Sequence, residues 1–349
     1  MSSLPTAVLV LIFLGSAAAI WAAGVRLAST TDALDQRLGI GSAFGGLIVL
    51  AVATNLPEIV ITIGAALQHQ LGLAVGNLVG GIAIQTVVLA VLDARSGKPR
   101  PLTYLAASLL LVIEATTVIL VLALVFMGTR LPESTSALGI SPASVAIVLL
   151  WISGLLLVRR AQQGIPWQVH LPEAEPGRSP SGRRGGPEQH RHTPKSTGWI
   201  AAVFAAMALI TLAAGVLVER SGEQLAGTIG LQGAVFGATF LAAATALPEL
   251  STGLASVRIG DNQLAVSDIF GGNAFLPVLF LIADVLAGTP ALPAAARTDQ
   301  WMAGLGIVLT ATYIIGFILR PARKILGMGP DSLAVITLYV LGIAGLLLI

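Results

Sequence analysis

Long apolar runs, each about the length of a membrane-crossing helix, constrain the fold of this chain more than any other feature of its sequence. The hydrocarbon core of a bilayer is about 30 Å thick, so a helix needs about 20 mostly apolar residues to cross it. Inside that core every backbone polar group must be satisfied within its own segment, which favours helices for runs of this length. We predict ten spanning helices, at residues 5–25, 41–67, 71–92, 103–128, 142–158, 198–218, 232–257, 262–287, 299–319 and 332–349.

Composition supports the same class and excludes several others. Of the 349 residues, 55% are hydrophobic and only 10% are charged, whereas a soluble domain carries about 25% charged residues. The absence of cysteine excludes disulfide frameworks, thiolate metal sites and cysteine catalysis. We therefore expect an all-α integral membrane protein of a bacterial or archaeal plasma membrane. We expect no cofactor, no nucleic-acid partner and no obligatory protein partner, with the lipid bilayer as its surroundings.

The distribution of basic residues predicts the orientation of the helices. If the N-terminus lies outside, 16 of the 19 Lys and Arg fall in inside loops, and only Arg130, Arg220 and Arg297 fall outside. Cytoplasmic loops of membrane proteins carry an excess of Lys and Arg. Both termini are therefore predicted to lie outside the membrane.

One polar stretch, residues 161–197, interrupts the apolar runs and is rich in Pro, Gly and Arg. It contains too little apolar surface to fold by itself. We predict a cytoplasmic linker between a first five-helix half, residues 1–160, and a second five-helix half, residues 198–349.

An internal repeat relates the two halves. Residues 46–93 match residues 237–284 at a constant offset of 191, with LAVATNLPEI over LAAATALPEL and LAVGNLVGGIA over LAVSDIFGGNA. Five helices separate the copies, and because five is odd the second copy must cross the membrane in the opposite direction. Inverted repeats with interrupted helices are typical of secondary transporters, which bind their substrate near the bilayer midplane.

Two glutamates lie at the centre of the repeats, near the middle of predicted spans. Glu58 and Glu249 each follow a proline, which has no N–H and leaves the carbonyl four residues earlier without its usual donor. A threonine, Thr54 or Thr245, precedes each glutamate by one turn. Two carboxylates, hydroxyls and freed carbonyls form an oxygen-rich site for a hard cation, and Ca²⁺ takes six to eight oxygen ligands in flexible geometry.

These motifs carry a resemblance to a known family. ATNLPE followed by AVGNLVGG, and ATALPE followed by AVSDIFGG, resemble the two alpha-repeats of the Ca²⁺/cation antiporter superfamily, most of all its sodium/calcium exchanger branch. The resemblance implies alpha-repeats at about 41–93 and 232–284, packed with inverted symmetry around a site that binds either Ca²⁺ or the counter-ion. By position it implies that Glu58 and Glu249 are the central ligands, that Thr54 and Thr245 are adjoining donors, and that Ala51 and Ala242 lend carbonyls.

The sequence also departs from the family pattern. Three kinds of position that supply oxygen ligands in the family are changed: the first Ser is replaced by Asn55 and Ala246, the second by Gly81 and Gly272, and the amide or acid by Gln85 and Leu276. We keep the amides Asn55 and Gln85 as candidate ligands. Missing hydroxyls weaken Na⁺ binding more than Ca²⁺ binding, because both glutamates remain.

Other acids in the spans have different expected roles. Asp268 takes the place of a family Asn and borders the repeat, so we expect it to join the site. For Glu114 we expect an interhelical hydrogen bond. Asp93 and Asp284 lie at span ends, where we expect a solvated or capping role.

Two function classes remain open within transport. The first is an antiporter that exchanges Ca²⁺ for Na⁺ or H⁺, and the second is a Na⁺/H⁺ or other metal cation exchanger on the same frame. An enzyme is not expected, because His69, the one histidine outside the linker, lies in a predicted loop and no H-E-x-x-H motif is present.

Overall fold

The computed structural model describes residues 4–38, 45–163, 196–229, 245–346 and 348. Regular structure within these ranges is helical, and the only β-type pairs there are two isolated bridges, Ala137 with Ile140 and Ile325 with Met328. The first half contains α1 (Thr6–Leu38), a π-helical turn (Gly45–Leu50), α2 (Ala51–Thr54), α3 (Leu56–Leu67), α4 (Leu71–Arg95), α5 (Leu102–Ala106), α6 (Leu109–Gly128) and α7 (Pro142–Gln162). The second contains α8 (Thr197–Ile229), α9 (Leu247–Ile259), α10 (Asn262–Phe275), α11 (Leu279–Ala287), α12 (Arg297–Leu319) and α13 (Pro330–Leu346).

The described residues contain seven helical segments that are long and apolar enough to cross a membrane. The number rises to eight if the bent pair Ile48–Thr54 and Leu56–Leu67 is one span, and α13 is a shorter apolar helix. Much of the predicted span 232–257 and most of the linker 161–197 lie outside the described residues. The described part of the chain is therefore that of a helical membrane protein, as predicted.

Several predicted spans differ in detail from the helices. α1 and α8 have 33 residues each, well beyond the predicted 5–25 and 198–218. A helix of 33 residues is about 50 Å long, so each extends past the hydrocarbon core. In the α1 extension the Thr30 hydroxyl donates to the Arg26 carbonyl at 2.8 Å, and Arg37 donates to the Thr197 hydroxyl of α8 at 3.1 Å. The predicted span 103–128 is divided, because Ser108 is extended and caps α6 through the Leu110 N–H.

The repeat helices form the interior of the molecule. Two thirds of the residues in the apolar windows of α4 and of α10 with α11 are buried (67%), against 28% for α1, α7 and α8. α4 packs against α3, α9, α12 and α13, while α10 packs against the π-helical turn, α2 and α6. α1 and α8 pack along each other at the periphery. The second helix of each repeat, α4 in the first and α10 with α11 in the second, is therefore buried, whereas α1, α7 and α8 are more exposed.

Asp93, at the end of α4, fixes the turn before α13. Its carboxylate accepts hydrogen bonds from the Gly329 N–H at 2.6 Å, the Leu102 N–H at 2.8 Å and the Ser332 hydroxyl at 2.9 Å. Lys324 Nζ lies 3.3 Å from Asp93 Oδ1. A residue of the first half thereby holds the start of the last helix of the second half.

Asp284 of α11 makes the corresponding contact in the other direction. It accepts hydrogen bonds from the Ala291 N–H at 2.6 Å and from the Ser141 N–H at 2.9 Å, directly before α7. Both aspartates are fully buried, so the capping role expected for them is confirmed and the solvated one is wrong.

The two turns held by these aspartates are themselves similar. LGISPAS at 138–144 corresponds to LGMGPDS at 326–332 with an offset of 188. Each turn opens with a Leu-Gly pair of positive φ, at 54° and 78° in one and 53° and 84° in the other. Two successive residues of positive φ form a tight turn of type I′, for which glycine is favoured at the second position.

Candidate cation site

The first repeat breaks at Asn55, between α2 and α3. Asn55 leaves the helical conformation (φ −88°, ψ 13°), and the helix direction changes by 58° there. Pro57 at the start of α3 has no N–H to continue the hydrogen-bond ladder. The break places Glu58 in the first turn of α3, where its side chain is buried. A helix N-terminus favours a negative charge in this position.

The second repeat breaks in the same way at Ala246. Its φ and ψ of −81° and 4° resemble those of Asn55, and Pro248 again opens the following helix. Glu249 lies in the first turn of α9 and is fully buried, and Thr245 is buried directly before the break. Ala242 lies outside the described residues.

Gln85 connects the two breaks. Its side-chain amide donates to Asn55 Oδ1 at 2.9 Å and to Glu249 Oε1 at 3.2 Å. Asn55 in turn donates from Nδ2 to the Ala51 carbonyl at 2.7 Å, and the Thr54 hydroxyl lies 3.2 Å from that same carbonyl. The structure thus brings Asn55, Gln85 and Glu249 together, and it gives the Ala51 carbonyl protein donors.

Asp268 on α10 contacts both repeats, as expected from its place beside the motif. Its Oδ1 accepts a hydrogen bond from the Thr54 hydroxyl at 3.3 Å and its Oδ2 accepts one from the Thr252 hydroxyl at 2.6 Å. Thr252 was not among the residues predicted from the sequence. It could have been predicted from its position three residues after Glu249, because that spacing places both side chains on one face of α9.

Electrostatics at this point favour a bound cation. Glu249 lies within electrostatic range of both Glu58 and Asp268, and all three acids are buried. The basic residues of α4 and α9, Arg95 and Arg258, lie in the last turns of those helices. Buried carboxylates are costly unless a basic group, a cation or protons neutralise them.

Oxygen ligands in addition to the acids are needed to complete a metal site. Among the described residues, no three Asp, Glu, His or Cys side chains are placed to hold a metal ion by themselves. One such oxygen is Gln85 Oε1, which is buried and accepts no hydrogen bond within the described part of the chain. A buried oxygen without a partner carries a desolvation penalty that a cation would remove.

Of the motif glycines Gly80, Gly81 and Gly272, only Gly272 lies where a side chain would disturb the site. A Cβ at this position would lie 2.5 Å from Asn55 Nδ2, so a larger residue would displace the Asn55 amide. At Gly81 the corresponding Cβ would make only an ordinary contact, 4.0 Å from Leu276 Cδ1, and at Gly80 it would meet open space.

Glu114 lies on a different helix from the residues at the two breaks. It is buried on α6, within hydrogen-bonding range of Ser267, the residue of α10 that precedes Asp268. No hydrogen bond to either Glu114 oxygen has standard geometry within the described part of the chain, so the expected interhelical hydrogen bond stays a prediction.

Together these features define a class: a helical integral membrane protein with acidic side chains buried at breaks in its membrane helices. The sequence model of the family described as "Sodium/calcium exchanger protein" matches residues 8–160 and 198–348. The chain belongs to this family, a family of transporters. The resemblance stated from the two motifs is thereby confirmed.

Two curated relatives cover most of the chain. The inner membrane protein YrbG of Escherichia coli (strain K12) is 28% identical over 276 residues, which are 78% of this chain and 76% of the relative. The putative antiporter CaxA of Alkalimonas amylolytica is 26% identical over 303 residues, which are 86% of this chain and 88% of the relative.

Solved structures of the sodium-calcium exchanger NCX_Mj have a similar fold. The structure soaked with 10 mM Na⁺ and zero Ca²⁺ superposes with a TM-score of 0.64 at 16% identity, covering 97% of this chain and 99% of that one. The structure soaked with 2.5 mM Na⁺ and 0.1 mM Ca²⁺ gives a TM-score of 0.65 at the same identity, covering 97% and 98%. At this identity the likeness establishes the fold.

Proposed function

We propose that this cation antiporter exchanges Ca²⁺ for Na⁺ or H⁺ by alternating access. One observation carries the proposal: Glu58 and Glu249 are buried at matching breaks in the two repeats, with Glu249 in electrostatic range of Glu58 and of Asp268. Such a group of acids has little use in a scaffold, whereas a divalent cation neutralises two of the charges at once.

In the proposed site Glu58 and Glu249 are the central ligands of the transported ion. Asp268, oriented by the Thr54 and Thr252 hydroxyls, adds a third negative charge next to Glu249 and becomes a direct ligand when its side chain moves towards the ion. Gln85 supplies its Oε1 after its amide group rotates away from Glu249. The remaining candidate donors are the Thr245 and Asn55 side chains and the carbonyls of Ala51 and Ala242.

We propose ten spanning helices arranged as two inverted five-helix halves, residues 1–160 and 198–349, joined by the linker 161–197. The reciprocal contacts of Asp93 and Asp284 support this arrangement, because each fixes the turn before the last helix of the opposite half. The proposed orientation has both termini outside and the linker in the cytoplasm, in accord with the 16 to 3 distribution of basic residues.

The counter-ion follows from the ligands that remain. The side chain of Leu276 has no oxygen and is fully buried, and Gly272 has no hydroxyl. Two positions that supply oxygen ligands to Na⁺ in the family pattern therefore supply none from their side chains here. Protons bind carboxylates without further ligands. Exchange of one Ca²⁺ for two protons leaves the net charge of the site the same in both states, which favours H⁺ as the counter-ion. The second candidate function, Na⁺/H⁺ or other metal cation exchange, needs the same two glutamates.

Flux measurements on the purified chain in proteoliposomes test the proposal. Uptake of radioactive Ca²⁺ is compared under an imposed Na⁺ gradient, an imposed pH gradient and neither, with the membrane potential clamped. The proposal requires gradient-driven Ca²⁺ uptake under at least one of the two gradients. Absence of Ca²⁺ flux, together with Na⁺-driven proton movement, would favour the second candidate.

A further inference from the structure

A groove on the lipid-facing side of α6 and α12 lies away from the cation site. Its volume is about 820 Å³, within the range of about 300–1,000 Å³ that is common for small-molecule sites. The lining is mostly apolar, and two arginines, Arg130 and Arg297, lie in it.

The two arginines are free to bind an anion. Both are exposed and neither makes a side-chain hydrogen bond or ion pair within the described part of the chain. Asp299, the acid closest along the chain to Arg297, is used in the cap of α12, where it accepts the Ala296 N–H at 2.8 Å. Arg130 follows the end of α6 and Arg297 begins α12, so both lie at one edge of the membrane.

The apolar wall runs from these arginines into the membrane. Along α12 the groove extends from Arg297 to Val308 through Trp301 and Leu305. Eleven residues of helix rise by about 16 Å, which is about half of a 30 Å hydrocarbon core, or one leaflet. The charged end therefore lies at the level of the headgroups and the apolar wall beside an acyl chain.

Two details keep the groove open. Trp301, which is partly exposed, is fixed by a hydrogen bond from its Nε1 to the Gly342 carbonyl at 2.9 Å. Gly304 forms part of the lining, and a Cβ added there would meet no atom within 4 Å. Tryptophan is enriched at membrane interfaces, where its ring contacts both headgroups and chains.

We propose that this groove binds one anionic phospholipid, with its phosphate between Arg130 and Arg297 and an acyl chain along Trp301, Leu305 and Val308. Charge complementarity identifies the occupant, because two unpaired guanidinium groups match the phosphate of an anionic headgroup. The site is separate from the transport function and does not depend on it.

Native mass spectrometry of the purified full chain in detergent measures the binding. Phosphatidylglycerol and phosphatidylcholine with the same acyl chains are titrated, and we expect a one-to-one complex with a preference for phosphatidylglycerol. Each basic side chain contributes about fivefold to the affinity for an anionic lipid. The double variant Arg130→Gln with Arg297→Gln is therefore expected to bind phosphatidylglycerol with an affinity about 25-fold lower than that of the wild type. Arg220→Gln removes another arginine, exposed and outside the groove, and should change nothing.

Gly304 provides a test of shape that leaves the charges intact. Gly304→Phe fills the groove and should remove the bound lipid, whereas Gly304→Ala adds one methyl group in open space and should retain it. Thermal unfolding of each variant without added lipid checks that it is folded. Equal binding of the two lipids, or retention by Gly304→Phe, overturns the proposal. It is also overturned if the wild type is a dimer that Gly304→Phe converts to a monomer, since a second copy then covers the groove.

Discussion

Asp93→Asn and Asp284→Asn test the reciprocal contacts between the halves, and the structure predicts which of them is more destabilising. Asparagine preserves the shape of the side chain but replaces one oxygen by an amide. In either variant that amide faces a backbone N–H, so at least one hydrogen bond to a charged acceptor is lost, at about 1.5–3 kcal/mol. For Asp284 this is the whole expected effect.

Asp93 has an additional partner in Lys324, whose side chain is only 14% exposed. Breaking a buried ion pair by removing one partner costs about 3–5 kcal/mol. Lys324 keeps its bonds to the Asp93 carbonyl at 2.8 Å and to the Ser96 hydroxyl at 2.9 Å, which limits the loss from the pair. We therefore expect about 3–5 kcal/mol for Asp93→Asn in total, against about 1.5–3 kcal/mol for Asp284→Asn.

Thermal unfolding in detergent, followed by tryptophan fluorescence, measures the difference. At about 2 °C per kcal/mol for a long chain, the melting temperature should fall by about 6–10 °C for Asp93→Asn and about 3–6 °C for Asp284→Asn. Glu133→Gln changes an exposed loop acid and serves as the control. Asp93→Asn combined with Lys324→Met should recover part of the loss. Equal shifts, or a larger shift for Asp284→Asn, would refute the reasoning.

Three further predictions concern the site and the topology. Asp268→Asn should weaken the apparent Ca²⁺ affinity in flux assays by about tenfold or more, because it removes a charge next to Glu249 in a medium of low dielectric constant; an unchanged affinity would exclude Asp268 from the site. Gly81→Ser with Leu276→Asp should increase the dependence of Ca²⁺ flux on Na⁺, and no change would count against the argument from missing oxygens. A cysteine at Ser181, in a chain that has none of its own, should react with an impermeant thiol reagent only after permeabilisation; labelling in intact cells would reverse the orientation.

Sequence alone predicted the membrane class and the family, because both leave strong local signals, and the ligand roles of the site residues stay predictions. Apolar runs are long, and the proline-glutamate motif occurs twice at a fixed offset. The contact of Thr54 with Asp268, which are 214 residues apart, agrees with the placement of Asp268 beside the repeat. Length of the peripheral helices was harder to predict, since α1 and α8 continue into polar sequence where hydropathy carries no signal.

The reciprocal contacts of the two aspartates were not predicted. The turns that they bind share few residues, LGISPAS and LGMGPDS, and their offset of 188 differs by three from that of the main repeat. The two turns therefore do not align at the offset of 191 that relates the main repeats. Thr252 was missed for another reason: Thr is a common residue of membrane helices, and only the fold shows that its hydroxyl lies 2.6 Å from Asp268 Oδ2.

Ca²⁺ uptake by proteoliposomes that contain Glu58→Gln or Glu249→Gln tests the central claim most directly. Each substitution preserves the shape of the side chain and removes one carboxylate from the proposed cage. We predict that each variant loses most of the gradient-driven Ca²⁺ flux of the wild type while it remains folded and monodisperse in detergent. A flux close to the wild-type rate in either variant would contradict the claim that the two glutamates share the transported ion.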